Sequence, residues 1–137
     1  VVYCPRSHAF FGHDSHPVRD LLDVGINVAL GTDSLASNDS LSMLEEIRFL
    51  YRSRKDLKSE EILRMATLNG AAALRFGGTL GRLRRGFSAD MTALELPETV
   101  GTKYLGAQIL EGAGECTATI VGGEVAWRKN PETGKHY

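Results

Sequence analysis

Two apolar runs, Val1-Val2-Tyr3-Cys4 and Ile26-Asn27-Val28-Ala29-Leu30, bracket a stretch with helical spacing, and this order leaves few folds open. The first run is β-branched and aromatic and stops at Pro5, as a buried strand does. Pro17 suits a first helical turn, Val18, Leu21 and Leu22 keep helical spacing, and Gly25 is a natural stop. The second run breaks off into Gly31-Thr32-Asp33-Ser34. Strand, helix and strand within about thirty residues make a βαβ unit with parallel strands and a right-handed crossover. Parallel strands bring their carboxyl ends to one edge, where α/β proteins build their sites.

After a small polar loop from Ser34 to Ser40, a helix is expected from Leu41 to Arg52, with Leu41, Leu44, Ile47 and Tyr51 on one face. Ser59 reads as the N-cap of a further helix, with Glu60 and Glu61 complementing its dipole. That helix carries Ile62, Met65, Ala66, Ala72, Ala73 and Phe76 and closes at Gly77-Gly78, while Gly70 among alanines suggests close packing. Beyond Thr79, frequent glycines punctuate short runs such as Met91–Leu94 and Cys116–Val121, the grammar of strands and turns. The polar tail from Arg128 to Tyr137 is expected to fray. The division expected is thus residues 1–78 and a β-rich segment 79–137.

Composition excludes several functions. In 137 residues, 16 basic and 17 acidic side chains leave a net charge of −1, which offers nucleic acid or an anionic membrane no attraction. No apolar run approaches the roughly 18 residues that cross a bilayer. Cys4 and Cys116 are too few and too far apart for a disulfide framework or a zinc ribbon. Neither a Gly-rich phosphate loop nor a Gly-x-Ser-x-Gly elbow occurs. A cytoplasmic protein is expected by default. The missing initiator Met and a start already in strand suggest a chain cut from something longer.

Asp33 is the sharpest candidate. A carboxylate where a parallel strand runs out can hold a cation or act as a base toward water; equally, it can cap its own loop by bonding backbone N–H groups. His8, His13 and His16 follow the first strand on the same edge, and imidazoles there suit metal ligation, proton transfer or hydrogen bonding to a polar substrate. His13-x-x-His16 is not at helical ligand spacing, and each histidine can equally be an ordinary loop residue. Ser37-Asn38-Asp39-Ser40 reads as the start of the next helix, with Asn38 or Asp39 as cap, in preference to the substrate contact that the loop's position also permits. Arg6 is a candidate for an anionic substrate group or for a surface salt bridge. Thr67 and Asn69 read as interior hydrogen-bonding groups, and Cys4 as inert.

The ordered set Cys4-Pro5-Arg6-Ser7-His8, Gly25 to Ser34, Ala36-Ser37-Asn38 and Met65 to Leu74 resembles the C-terminal part of the amidohydrolase superfamily, closest to its cytosine deaminase-like and chlorohydrolase-like branch. Gly81 to Asp90 is similar to the stretch where such enzymes return to a small β-sandwich beside the barrel. The resemblance implies an α/β fold, the last two strands of a (β/α)8 barrel with following helices, plus strands of that sandwich. Asp33 matches the last-strand aspartate that binds the catalytic metal or the hydrolytic water and shuttles a proton. His8, where the common motif has Asn, and Phe11-Gly12-His13 are similar to purine- and aminofutalosine-type deaminases. His8, His13, Arg6 and Ser34 are then expected at the substrate.

The cofactor implied is one divalent ion, zinc or sometimes iron. The reaction implied is hydrolysis of a C–N bond by metal-activated water, as in deamination of a purine or nucleoside derivative. The family's His-x-His pair, mid-barrel histidine and fifth-strand acid have no counterpart here, so this polypeptide alone is expected to be inactive. The partners expected are a small-molecule substrate and further copies of the intact enzyme, with no nucleic acid and no membrane. A different class remains open: a non-catalytic binding or assembly module, or an inactive remnant.

Overall fold

The computed structural model describes residues 1–97 and 104–130. Strands β1 (Val2–Tyr3) and β2 (Ala29–Leu30) lie parallel, with Val2 beside Ala29 and Tyr3 beside Leu30. Hydrogen bonds from the Ala29 N–H to the Val1 carbonyl and from the Gly31 N–H to the Tyr3 carbonyl close the ladder. A Cβ at Gly31 would stand 3.0 Å from Val2 Cγ1 and 3.1 Å from Cys4 Sγ, so glycine lets the chain leave β2 hard against β1. β2 is shorter than the expected Ile26–Leu30, because pairing with β1 covers only its end.

Two helices connect these strands, α1 (Pro5–Phe10) and α2 (Val18–Asp23). The segment from Arg6 to His16 is therefore not the continuous loop expected from sequence. Pro5, whose absent N–H costs nothing in a first turn, starts a helix directly from β1. This turn puts Ser7 and His8 on a rigid element at the strand end.

Helix α3 (Met43–Ser53) begins later than expected, and its cap is neither Asn38 nor Asp39. Ser42 Oγ accepts the Glu45 N–H at 3.3 Å. Ser42→Ala should cost about 1 kcal/mol in denaturant unfolding, with Ser42→Asp close to wild type; equal losses for both would remove the capping role. Leu41, expected on the apolar face, is exposed outside the helix.

Helix α4 (Ser59–Ala66) starts one residue beyond its cap, Lys58, whose N–H donates to Glu61 Oε2 at 2.8 Å. The expected long helix breaks at Thr67 (φ −125°, ψ −86°) and resumes as α5 (Leu68–Ala73). Thr67, exposed rather than interior, donates its hydroxyl to the Leu63 carbonyl, whereas the Asn69 amide reaches the Val28 carbonyl at 2.8 Å and ties α5 to β2. Gly70 has no close neighbour. The tight approach is at Gly81, where φ is +88° and a Cβ would lie 2.9 Å from Ala71 Cβ.

Helix α6 (Leu105–Glu111) lies in the stretch expected to hold strands and turns. It forms because Leu110 has a core to enter, joining Val18, Val28, Leu50, Ile62 and Met65 in one buried cluster. The remaining strands, β3 (Met91–Glu95), β4 (Glu115–Val121) and β5 (Glu124–Arg128), make an antiparallel sheet with β4 in the middle. Among the described residues this sheet has three strands, separate from the β1-β2 pair. A cavity of about 660 Å3 separates it from the helices, lined by Leu30, Ala71, Leu74, Leu83, Met91 and Ile120 among others. Of the polar tail, positions 131–137 lie outside the described residues. No helix among the described residues is long and apolar enough to cross a membrane.

Candidate active site at the strand ends

The parallel pairing carries Cys4 and Gly31 to one edge, so the first turn of α1 meets the loop after β2. Asp33 lies in that loop, exposed, with a left-handed backbone (φ +58°). This conformation costs an ordinary L-residue roughly 1–2 kcal/mol, less for Asp, which visits it more readily. Its carboxylate is held firmly. Ser7 Oγ donates to Asp33 Oδ2 at 2.7 Å and Ser37 Oγ donates to the same oxygen at 3.1 Å. Both serines are buried and stand 2.8 Å apart; neither hydroxyl reaches Oδ1. The Ser7 and Ser37 bonds, with the Ser34 N–H, hold the Asp33 carboxyl below its usual range, against a smaller opposing effect of burial. Asp33 is thus an ionised carboxylate at the surface, fixed through one oxygen.

A second layer supports the loop. Asn38, buried, donates its amide to the Thr32 carbonyl at 2.8 Å and to Glu46, a fully buried carboxylate of α3. Glu46 also accepts the Arg6 N–H at 3.3 Å. The sequence reading gave Ser7 and Glu46 no role and put Ser37 and Asn38 at a helix start, with substrate contact as the alternative. A signal for Glu46 was present: four residues before Leu50, it falls on the apolar stripe of α3.

The histidines form a ring cluster of their own. His8 and His16 pack against Tyr3, and His13 against His8: the His16 ring stacks on Tyr3 at 4.0 Å, and His8 lies 5.3 Å from His13 and 5.6 Å from His16, centroid to centroid. His8 Nε2–H donates to the Asp14 carbonyl at 2.7 Å, which leaves Nδ1 as the acceptor in its neutral ring. Burial, then the neighbouring His8 and Arg54, push the His16 imidazole below its ordinary pKa. Among the described residues no hydrogen bond or ion pair joins these imidazoles to Asp33, whose Oδ2 bonds Ser7 and Ser37.

Arg6 takes the salt-bridge alternative, with Nη2 3.3 Å from Asp39 Oδ2 and Nη1 3.1 Å from Ser40 Oγ. Ser34 is exposed beside Asp33, and its Oγ accepts the Ala36 N–H. For Cys4, burial and the nearby Asp33 and Glu46 charges raise the thiol pKa, consistent with an inert side chain.

As a metal donor, the Asp33 carboxylate suits a divalent cation, being exposed, ionised and anchored. No group of three or more His, Cys, Asp and Glu side chains that could hold a metal occurs among the described residues. The described residues therefore supply fewer than three such ligands at this edge, where a catalytic zinc takes about three from protein.

Comparison with known proteins agrees with this architecture. A model of the Amidohydrolase family matches residues 1–126. The 5-methylthioadenosine/S-adenosylhomocysteine deaminase of Caldicellulosiruptor saccharolyticus is 45% identical over a stretch covering 69% of this chain and 24% of that protein. An adenosine deaminase from Xanthomonas campestris, solved with bound zinc, superposes with a TM-score of 0.84 at 32% identity, covering 91% of this chain and 31% of that one. The Helicobacter pylori aminofutalosine deaminase superposes with a TM-score of 0.77 at 26% identity, covering 91% and 32%. The chain spans between 24% and 32% of the length of these three proteins.

Proposed function

The chain belongs to the amidohydrolase family, and from that premise we propose that it is the C-terminal part of a metal-dependent deaminase acting on an adenine nucleoside derivative. In this reading residues 1–78 are the end of a (β/α)8 barrel, with β1 and β2 as its last two strands, and 79–137 form the accessory β-rich segment. The parallel pair supports it, as does the size of a complete barrel, about 250 residues. The observation that carries the proposal is Asp33, ionised and anchored by two serines where β2 ends. The deaminases to which the chain is similar make an adenosine-type nucleoside the first substrate to test.

Hydrolytic deamination adds water to the carbon bearing the amino group, breaks the C–N bond and releases ammonia. Asp33 accepts the proton that water gives up and returns it to the departing amine. The Ser7 and Ser37 hydroxyls keep that carboxylate ionised and fix its direction. Asp33 would also be this chain's ligand to one divalent ion, zinc or alternatively iron. When bound, such an ion makes nearby water a stronger acid. In this reading His8, through Nδ1, and the exposed His13 bond a polar substrate, with Ser34 at the Asp33 side. Arg6 reaches an anionic group only by releasing Asp39. A cytoplasmic homo-oligomer completes the reading.

A second reading is a non-catalytic module or inactive remnant, favoured by the lack of a three-ligand cluster among the described residues. Ammonia release separates the two. The intact protein, incubated with 5′-methylthioadenosine, S-adenosylhomocysteine and adenosine, should release one ammonia per nucleoside consumed. Release of none from any aminated purine, or of chloride from a chlorinated triazine instead, would overturn the assignment.

A further inference from the structure

Glu46 has no evident reason to be a carboxylate if its role is packing. It is fully buried beside Ile47 and Leu50, where an apolar side chain of similar volume would avoid the desolvation of a charge. Among the described residues no ion pair neutralises it, since the Arg6 guanidinium turns to Asp39 and Ser40 and offers Glu46 only its main-chain N–H. Its remaining partner is the Asn38 amide. That amide nitrogen lies between two acceptors, the Glu46 carboxylate and the Thr32 carbonyl, so the Asn38 orientation is fixed chemically; the flipped amide would set oxygen against oxygen at both ends. The Thr32 carbonyl belongs to the peptide that enters Asp33. Pinning it fixes that peptide plane and supports the left-handed backbone at Asp33, a conformation that persists only where the surroundings enforce it.

We propose that Glu46 is a positioning residue for Asp33: it orients Asn38, Asn38 holds the Thr32–Asp33 peptide, and the peptide aims the carboxylate onto Ser7 and Ser37 and outward. The inference rests on the reading of Asp33 as the reacting carboxylate. It needs only contacts internal to this chain.

The test compares Glu46→Leu and Glu46→Gln in the intact protein, by steady-state kinetics on the nucleoside and by amide hydrogen exchange across residues 31–40. Gln still presents an oxygen to Asn38, so its kcat should stay within about threefold of wild type, while Leu lowers kcat at least about tenfold with KM little changed. Exchange across 31–40 should accelerate in Glu46→Leu and not in α3. Wild-type kcat and exchange in Glu46→Leu would overturn the proposal, as would a parallel loss of protection throughout α3, which marks a packing role. Should Glu46→Leu fail to fold, Asn38→Ser removes the same bridge without disturbing the core and must give the same signature. A wild-type protein that releases no ammonia refutes the functional reading alone, because exchange across 31–40 still decides whether Glu46 holds the Asp33 loop.

Discussion

Replacing Asp33 by Asn in the intact protein should lower kcat by about 10²-fold or more while leaving the unfolding midpoint close to wild type. The substitution keeps the shape of the side chain, and the amide oxygen can still accept from Ser7 and Ser37, which bond a single oxygen of the native carboxylate. The local fold is preserved for that reason. What Asn cannot do is take up a proton, and it is a poorer ligand for a divalent cation. Steady-state ammonia release together with thermal unfolding checks both halves. A variant with wild-type turnover would remove Asp33 from the chemistry, and one that loses activity only because it unfolds would reduce it to a loop-forming residue.

Truncating Arg48 to Ala should destabilise the protein by about 3 kcal/mol, the largest stability effect expected from a charged position. Arg48 is buried and spans from α3 to the end of α6. Its Nε donates to the Ile109 carbonyl at 3.1 Å, and its Nη2 donates to the Ala113 and Gly114 carbonyls at 3.1 and 2.7 Å. The Ile109 carbonyl belongs to the last turn of α6, where the dipole favours a cation, and the Ala113 and Gly114 carbonyls lie just beyond its cap. Removal leaves three acceptors without that donor and a gap against the core that Leu110 enters. Lysine should restore little, because a point charge cannot serve three carbonyls set in a fork. Denaturant unfolding measures the loss, and hydrogen exchange should localise it to 105–115. A loss below about 1 kcal/mol would mean the guanidinium behaves as an ordinary surface charge.

The sequence carried the frame more readily than the joints. Strand, helix and strand before Asp33 were legible because hydrophobic period and turn residues agree there, and the loop position of Asp33 followed from where the apolar run stops. Strands near Met91 and Cys116 were legible for the same reason. Helix α1 was not, since one short turn started by Pro5 leaves no periodic signal, and the histidines around it looked like a loop. Helix α6 was hidden by Gly106 and Gly112; it forms because Leu110 finds a core built from distant residues, a case of tertiary packing overriding local propensity.

The same limit applies to the site. Asp33 was visible, with the histidines expected on the same edge, but nothing in the sequence pointed to Ser7 and Ser37, which bond it, or to the packing of His8 and His16 against Tyr3. Which side of a short helix faces a loop thirty residues away depends on the angle at which that helix leaves the strand, and composition says nothing of that angle. Glu46 and Arg48 drew no reading from the sequence for a related reason. Their partners, Asn38 in one case and the end of α6 in the other, are joined to them only by the fold.

A crystal structure of the intact protein with a non-hydrolysable nucleoside analogue tests the central claim most directly, through the position of the Asp33 carboxylate. The account predicts that one Asp33 oxygen stays on Ser7 and Ser37 while the other comes within hydrogen-bond reach, about 3 Å, of the attacking water or the group that replaces it. An analogue bound with Asp33 bonded only to the two serines, and the reacting carbon served by another acid, would contradict it.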